Sequence, residues 1–403
     1  MDPRPRPVLQ ESDQSRGSTP WLNRNLAGMC LASLLSDLGH EMATAILPLF
    51  ILSIGASPAA LGIIEGASDG ASTFAKVGGG RIADLAGWRH KVASLGYLVT
   101  GLATGSFALA QSWIALLIAR TAGWMARGAR SPCHDNLLVE SVPRAKVGTA
   151  FGFHRSADTL GAILGPLTAM LLMRRVGFRW IFLLSMLPGL LSAVAFWLLV
   201  REPRARRQGE SAPPFRGWNA ATPAPFRRFL AAVGVFGIGD FAHSMLVLRA
   251  ADFMGSTAGA MSAAVALYVI HNVAHALLSY PIGILGDHYP RRRLLATAYA
   301  LDTVATVGFA LGPRRFAPLV ALFVLEGMVM AAEETLESAT ATDLLPADVR
   351  GTGFGILAGV NGVGDLVSSI VVGLLWTNVS AEAAFLYGSL MSAMGALLLF
   401  GAL

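Results

Sequence analysis

Gly80-Arg-Ile-Ala-Asp84, with Arg89 five residues further on, returns as Gly283-Ile-Leu-Gly-Asp287, with Arg292 five residues further on, at an offset of 203 positions. The same offset carries Asp37-Leu-Gly-His40-Glu-Met42 onto Asp240-Phe-Ala-His243-Ser-Met245. It also carries Gly148-Thr-Ala-Phe-Gly152, preceded by Pro143, onto Gly351-Thr-Gly-Phe-Gly355, preceded by Pro346. Separate anchors sharing one register mark an internal duplication, and a duplicated chain is built from two like structural units.

The composition says what solvent those units meet. The 403 residues are 54% hydrophobic and only 14% charged, where a soluble domain carries about 25% charged residues. Apolar runs long enough to cross a bilayer recur through the chain. In lipid the backbone must satisfy its own hydrogen bonds, which leaves helices as the spanning element. The runs predict helices over 24–53, 57–82, 92–111, 113–139, 146–174, 178–200, 225–251, 258–285, 292–312, 316–341, 351–377 and 381–402.

The fold class expected is therefore all-α integral membrane, with twelve transmembrane helices in two six-helix bundles. Six is an even number of crossings, so the repeats are parallel, with a site near the midplane between them. The domains expected are a cytoplasmic tail over 1–23, a first bundle over 24–200, a linker over 201–225 and a second bundle over 226–403.

Placing both termini in the cytoplasm puts Arg81, Arg89, Lys91, Arg144, Lys146, the arginines of the linker and Arg291-Arg-Arg293 inside. The outer loops keep Arg174, Arg175, Arg179, Arg249, Arg314 and Arg315. That bias sets the orientation, and a multi-pass protein of the cell (inner) membrane is expected. It also accounts for the net charge of +6 without nucleic acid. The two cysteines, Cys30 and Cys133, form no paired motif. No phosphate loop, nucleophile elbow or HExxH occurs, so neither an enzyme nor an ATP-driven pump is expected, and no cofactor is called for.

Gly80-Arg-Ile-Ala-Asp84-Leu-Ala-Gly87-Trp-Arg89-His-Lys91 resembles the signature loop after the second helix of the major facilitator superfamily, with one residue's departure between Gly87 and the basic pair. Gly283, Asp287 and Arg292 form its degenerate partner, with Pro290 where a glycine is usual. The resemblance covers the chain from about Asn25 and implies a monomeric transporter working by alternating access. It implies gating roles for Gly80, Asp84, Gly87, Arg89 and Lys91 and for their partners. An aspartate there latches one conformation by capping a helix and pairing with basic residues. Gly152, Gly161, Gly165 and Pro166 are similar to the motif that marks antiporters in the superfamily, although Ala169-Met170 replace its final glycines. That tilts the expectation towards export.

Ionisable residues inside a span are costly and normally face a cavity or a partner. Asp37, His40 and Glu41 lie in the first expected helix, Glu65 and Asp69 in the second, Arg130 in the fourth and Arg155 in the fifth. Asp240 and His243 lie in the seventh, and His271, Asn272 and His275 in the eighth. The resemblance places the first and seventh helices on the central cavity. A buried carboxylate beside an imidazole exchanges protons in the physiological range. Asp37, His40, Asp240 and His243 are accordingly expected to couple protons to a small cationic or zwitterionic solute. Glu41, Glu65, Asp69, Arg130, Arg155, His271 and Asn272 are the second choices. On the alternative, structural reading these residues are polar glue between helices, Arg130 with a nearby carboxylate, while Arg120 and the glutamates near Glu337 snorkel. Carboxylates with imidazoles also suit divalent metals, so a metal or siderophore-type transporter is the alternative. A receptor or scaffold that kept the fold and lost transport is the alternative of another class.

Overall fold

The structure, a computed structural model, describes residues 21–83, 88–143, 147–173, 175–202, 223–255, 257–312, 315–345 and 350–401. Most of the expected tail and linker therefore lies outside the described residues. The first half forms α1 (Arg24–Ser53), α2 (Pro58–Ala83), α3 (Arg89–Ser106), α4 (Trp113–Ser141), α5 (Val147–Met173) and α6 (Phe178–Leu199). A short 3-10 turn, Phe107–Leu109, prolongs α3. The second half forms α7 (Ala224–Gly237), α8 (Ser244–Met254), α9 (Ala258–His288), α10 (Arg291–Leu311), α11 (Phe316–Leu344), α12 (Arg350–Asn378) and α13 (Ala381–Gly401). Side-chain caps start several of them: Asn23 accepts from Leu26 N, Ser112 from Ala115 N and Thr257 from Ala260 N, each satisfying a backbone donor that the first turn leaves free.

One expectation is corrected. The seventh span is not a single helix over 225–251. It breaks into α7 and α8, and Asp240 lies between them, with His243 at the entrance to α8. Neighbouring side chains hold the break. Tyr387 donates to Ile238 O at 2.7 Å, Ser368 to Asp240 O at 2.5 Å, and Ala242 N donates to Ser369 Oγ at 3.1 Å. A Cβ at Gly239 would collide with the side chain of Met391, so only glycine lets the chain pass here.

Among the described residues, nine helices are long and apolar enough to cross a membrane by themselves. The exceptions have physical causes: α2 carries Glu65 and Asp69, α4 carries Arg120, Arg127 and Arg130, and α7 and α8 are each half a span.

Helices α1–α6 pack as one bundle and α7–α13 as the other. The bundles meet where α2 packs on α12, α5 on α9 and α1 on α8. The 203-residue offset maps α2 onto α9 and α5 onto α12, so the first two contacts are images of each other about a two-fold axis. Glycines allow the approach: a Cβ at Gly66 would lie 2.7 Å from Leu366 O, and one at Gly373 2.8 Å from Pro58 O.

The apolar core shows which way the molecule is open. At one end a single core joins both bundles, with Phe50 and Phe182 beside Met245, Leu248, Phe309 and Phe385. At the other end there are two separate cores, Leu26, Met29, Tyr97 and Phe196 in one bundle and Phe226, Phe229, Phe236 and Tyr299 in the other. The chain's first helix starts at this divided end, where Asn23 Nδ2 donates to Ser141 O and Arg24 to Leu198 O.

Candidate functional site

Between the two separate cores lies a cavity of 1180 Å³. Its walls are the first half of α5 (Arg155, Thr159, Ile163), the later turns of α9 (His275, Ser279, Tyr280) and α11 (Glu333, Glu334, Glu337), and the start of α12 (Phe354, Asn361). These segments all lie towards the divided end, so the cavity opens there and is closed by the shared core at the other. An adjoining pocket of 520 Å³, inside the first bundle, is lined by Asp37, Arg127, Arg130, His154 and Asp158 and shares Arg155 with the cavity.

In the first bundle two arginines of α4 pair with carboxylates of α1 and α2. Arg127 donates to Asp37 at 2.8 Å, and Arg120 pairs with Glu65 at 2.5 Å. Both Arg120 and Glu65 are buried, so Arg120 does not snorkel: a partner inside the bundle costs less than dragging the guanidinium to the interface. Arg130 corrects another expectation. Among the described residues it forms no ion pair; it lies 3.7 Å over the Tyr97 ring and donates to Ser36 Oγ at 3.2 Å. Asp69 accepts from Trp124 Nε1 at 2.6 Å, and His40 packs on the same indole. Neither lines the central cavity.

Several candidates join the bundles. Glu41 accepts from Tyr268 at 3.1 Å, Asn272 donates to Ala162 O at 3.1 Å, and Arg155 pairs with Glu334 at 2.6 Å. His275 reaches the same Glu334 oxygen at 3.1 Å. His271 stacks near Tyr268 and lies 4.6 Å, ring to ring, from His243. Asp240 and His243 line a small cavity of 10 Å³ at the break, with Asp302, Thr306 and Glu326.

The glutamates of α11 are a further correction. Glu337 is buried and accepts from Tyr299 at 2.5 Å and Asn361 at 2.7 Å. It does not snorkel, because two donors inside the bundle hold it. Asp302 went unnoticed in the sequence. A lone carboxylate in the otherwise apolar ninth span was the signal available, and Ser392 donates to it here.

Of the gating residues, Asp84 and Gly87 lie outside the described residues, as do the side chains at Gly80 and Asp287. Arg89 pairs with Glu140 at the end of α4 at 2.6 Å, and Lys91 lies over Trp88. Gly283 faces the Thr335 methyl. In the second repeat Arg291 pairs with Asp343 at 3.0 Å, and the Nε and NH2 of Arg292 meet no acceptor among the described residues. Gly161 and Gly165 press α5 onto the backbone of α1: a Cβ would come 2.6 Å from Leu34 O and 2.7 Å from Leu38 O. Pro166 follows inside α5, while the surroundings of Gly152 lie outside the described residues.

Known proteins share this architecture. A bacterial homologue of the human lysosomal transporter Spinster, inward-facing and occupied, superposes with a TM-score of 0.77 at 15% identity, over 96% of this chain and 97% of that one. The nucleoside transporter NupG superposes with a TM-score of 0.78 at 15% identity, over 94% and 99%. In sequence, an uncharacterized MFS-type transporter of Methanocaldococcus jannaschii is 29% identical over 382 residues, 94% of each chain. The quinolone resistance protein NorA of Staphylococcus aureus is 22% identical over 183 residues, 45% of this chain and 47% of its own. The profile of the Major Facilitator Superfamily matches residues 29–270 and 229–403, and with that coverage this multi-pass membrane protein belongs to the Major Facilitator Superfamily.

Proposed function

We propose that the protein is a secondary active exporter that exchanges protons for a small cationic or zwitterionic organic solute. The observation that carries this reading is the cavity between the bundles, open at one end and walled on the second bundle by Glu333, Glu334 and Glu337. An acidic wall in a low-dielectric setting attracts positive charge. With the termini in the cytoplasm, the open end faces the cytoplasm, where an exporter collects its load. Glycine packing of α5 on α1 and the distant likeness to a quinolone resistance protein point the same way. Arg155 on the opposite wall and Arg130 in the adjoining pocket admit a second, negative group on the solute. Asp240, at the break and free of any ion pair among the described residues, suits proton coupling. Asp37 takes part only when its pair with Arg127 opens. Arg89 and its neighbours in the 2–3 loop act as the latch of the inner end. Among the described residues no group of three His, Cys, Asp or Glu side chains is placed to hold a metal ion.

The test is proton movement in proteoliposomes with an acidic lumen. Ethidium and a fluoroquinolone, added outside, should each be assayed for solute-driven alkalinisation of the lumen. The expected result is alkalinisation by at least one of them, abolished in Asp240→Asn. Solute entry with no proton exit would defeat the antiport reading.

A further inference from the structure

The second bundle holds buried carboxyl groups that no basic residue accompanies. Asp240, Asp302, Glu326, Glu333 and Glu337 form no ion pair among the described residues. The duplication explains the imbalance. The offset carries Arg120, Arg127 and Arg130 of α4 onto Phe323, Met330 and Glu333 of α11. The cations that neutralise Glu65 and Asp37 in one bundle thus have no counterpart in the other.

Three features make this more than a cluster of acids. First, the groups converge: Asp240, Asp302 and Glu326 line one small cavity, and Glu333 lines the central cavity. Carboxylates that share a buried site repel each other until one of them takes a proton. Second, the 10 Å³ cavity is about the size of one water. Glu326, only 6% exposed, lines it, and its Oε1 accepts from no donor among the described residues. Third, α7 ends at this cavity, so the negative end of its dipole lies against the pocket. Broken helices in transporters place ions at such ends.

We infer that Asp302 and Glu326 hold one exchangeable proton beside the break of the seventh span, reached from the central cavity through Glu333 and Asp240. This rests on the proton-coupled reading above and assigns the proton a seat. Loading forms one O–H bond on a carboxylate oxygen and takes the pair from two negative charges to one. Unloading breaks that bond and returns the proton along the same carboxyls. His243 faces the cavity from the break, with His271 of α9 behind it. Tyr299 of α10 and Asn361 of α12 tie up Glu337. Asp365 of α12 acts on Asp240, and Ser392 of α13 donates to Asp302. Lys76 of α2 acts on Asp365.

The test needs no solute. A proton bound only in the native state stabilises it, so the melting temperature of the detergent-purified protein should fall as pH rises from about 5.5 to 8.5. Glu326→Gln and Asp302→Asn should each flatten that slope. Asp343→Asn, at the surface pair with Arg291, should keep it. Glu326→Gln keeps side-chain volume and guards against a variant that fails to fold. An unchanged slope in both variants, or a pH-independent wild type, overturns the inference. So does stabilisation by sodium at constant ionic strength that disappears in Glu326→Gln, because the seat would then be sodium's. Should the slope depend on the pair while vesicles show no solute-driven proton movement, the antiport reading falls and the seat stands.

Discussion

The pair Arg120–Glu65 isolates what a buried charge does in this fold. Both side chains are almost wholly enclosed and 2.5 Å apart, and Arg120 also lies over the Trp124 ring. Removing one partner leaves the other charged and desolvated, at a cost of about 3–5 kcal/mol. Removing both leaves only a packing problem. We therefore expect Glu65→Gln and Arg120→Met each to lower thermal stability in detergent sharply. The double variant Glu65→Leu with Arg120→Met should recover most of the loss. If the double variant is as unstable as the sum of the two, the pair is not what holds α2 to α4. The sequence showed that both residues lie at membrane depth, but not that they meet. An i, i+4 spacing reveals which residues share a helix face, whereas partnership across helices depends on rotation about each axis. Arg130 shows the same limit: it is Arg127, one turn earlier on α4, that holds Asp37.

Eleven of the twelve expected spans are continuous helices close to the predicted bounds, because apolar length and flanking charge are properties of the sequence itself. The seventh was misread for a specific reason. Ile238-Gly-Asp-Phe-Ala-His243 has the hydrophobicity of a helix, and its repeat partner around Asp37 lies inside the unbroken α1. The break comes from outside the element, from Tyr387, Ser368 and Ser369 capturing backbone groups and Met391 crowding Gly239. Gly239→Leu should consequently overpack the site and destabilise the protein by about 1–3 kcal/mol. A compensating Met391→Gly, which removes the Cβ that the added side chain would meet, should restore part of that loss. Thermal unfolding of the single and double variants checks this. Equal stability of Gly239→Leu and wild type would mean that the chain at the break has room the packing does not indicate.

The asymmetry of the apolar cores fixes the state of the whole molecule: one core spans both bundles at one end, and two cores flank an open cavity at the end where α1 starts. Alternating access requires the reverse arrangement as well, in which the shared core parts and α5–α9 and α2–α12 close towards the divided end. The two conformations differ in which surfaces water reaches, and cysteine chemistry reads this directly. The native Cys30 and Cys133 are both buried and give a low background. Ser279→Cys, in the cavity wall, should react with a membrane-impermeant maleimide supplied from the side of the termini. Leu248→Cys, in the shared core, should react from neither side at rest. A solute trapped in the outward-facing state should exchange the two patterns. The Arg155–Glu334 link crosses the mouth of the cavity, so Glu334→Gln should speed Ser279→Cys labelling, by several-fold if the link contributes about 1 kcal/mol, as an exposed pair does at most. Reaction of Ser279→Cys from the opposite face, with no reaction from the side of the termini, would reverse the orientation read from the basic loops. The exporter reading would then have its loading side on the wrong face of the membrane.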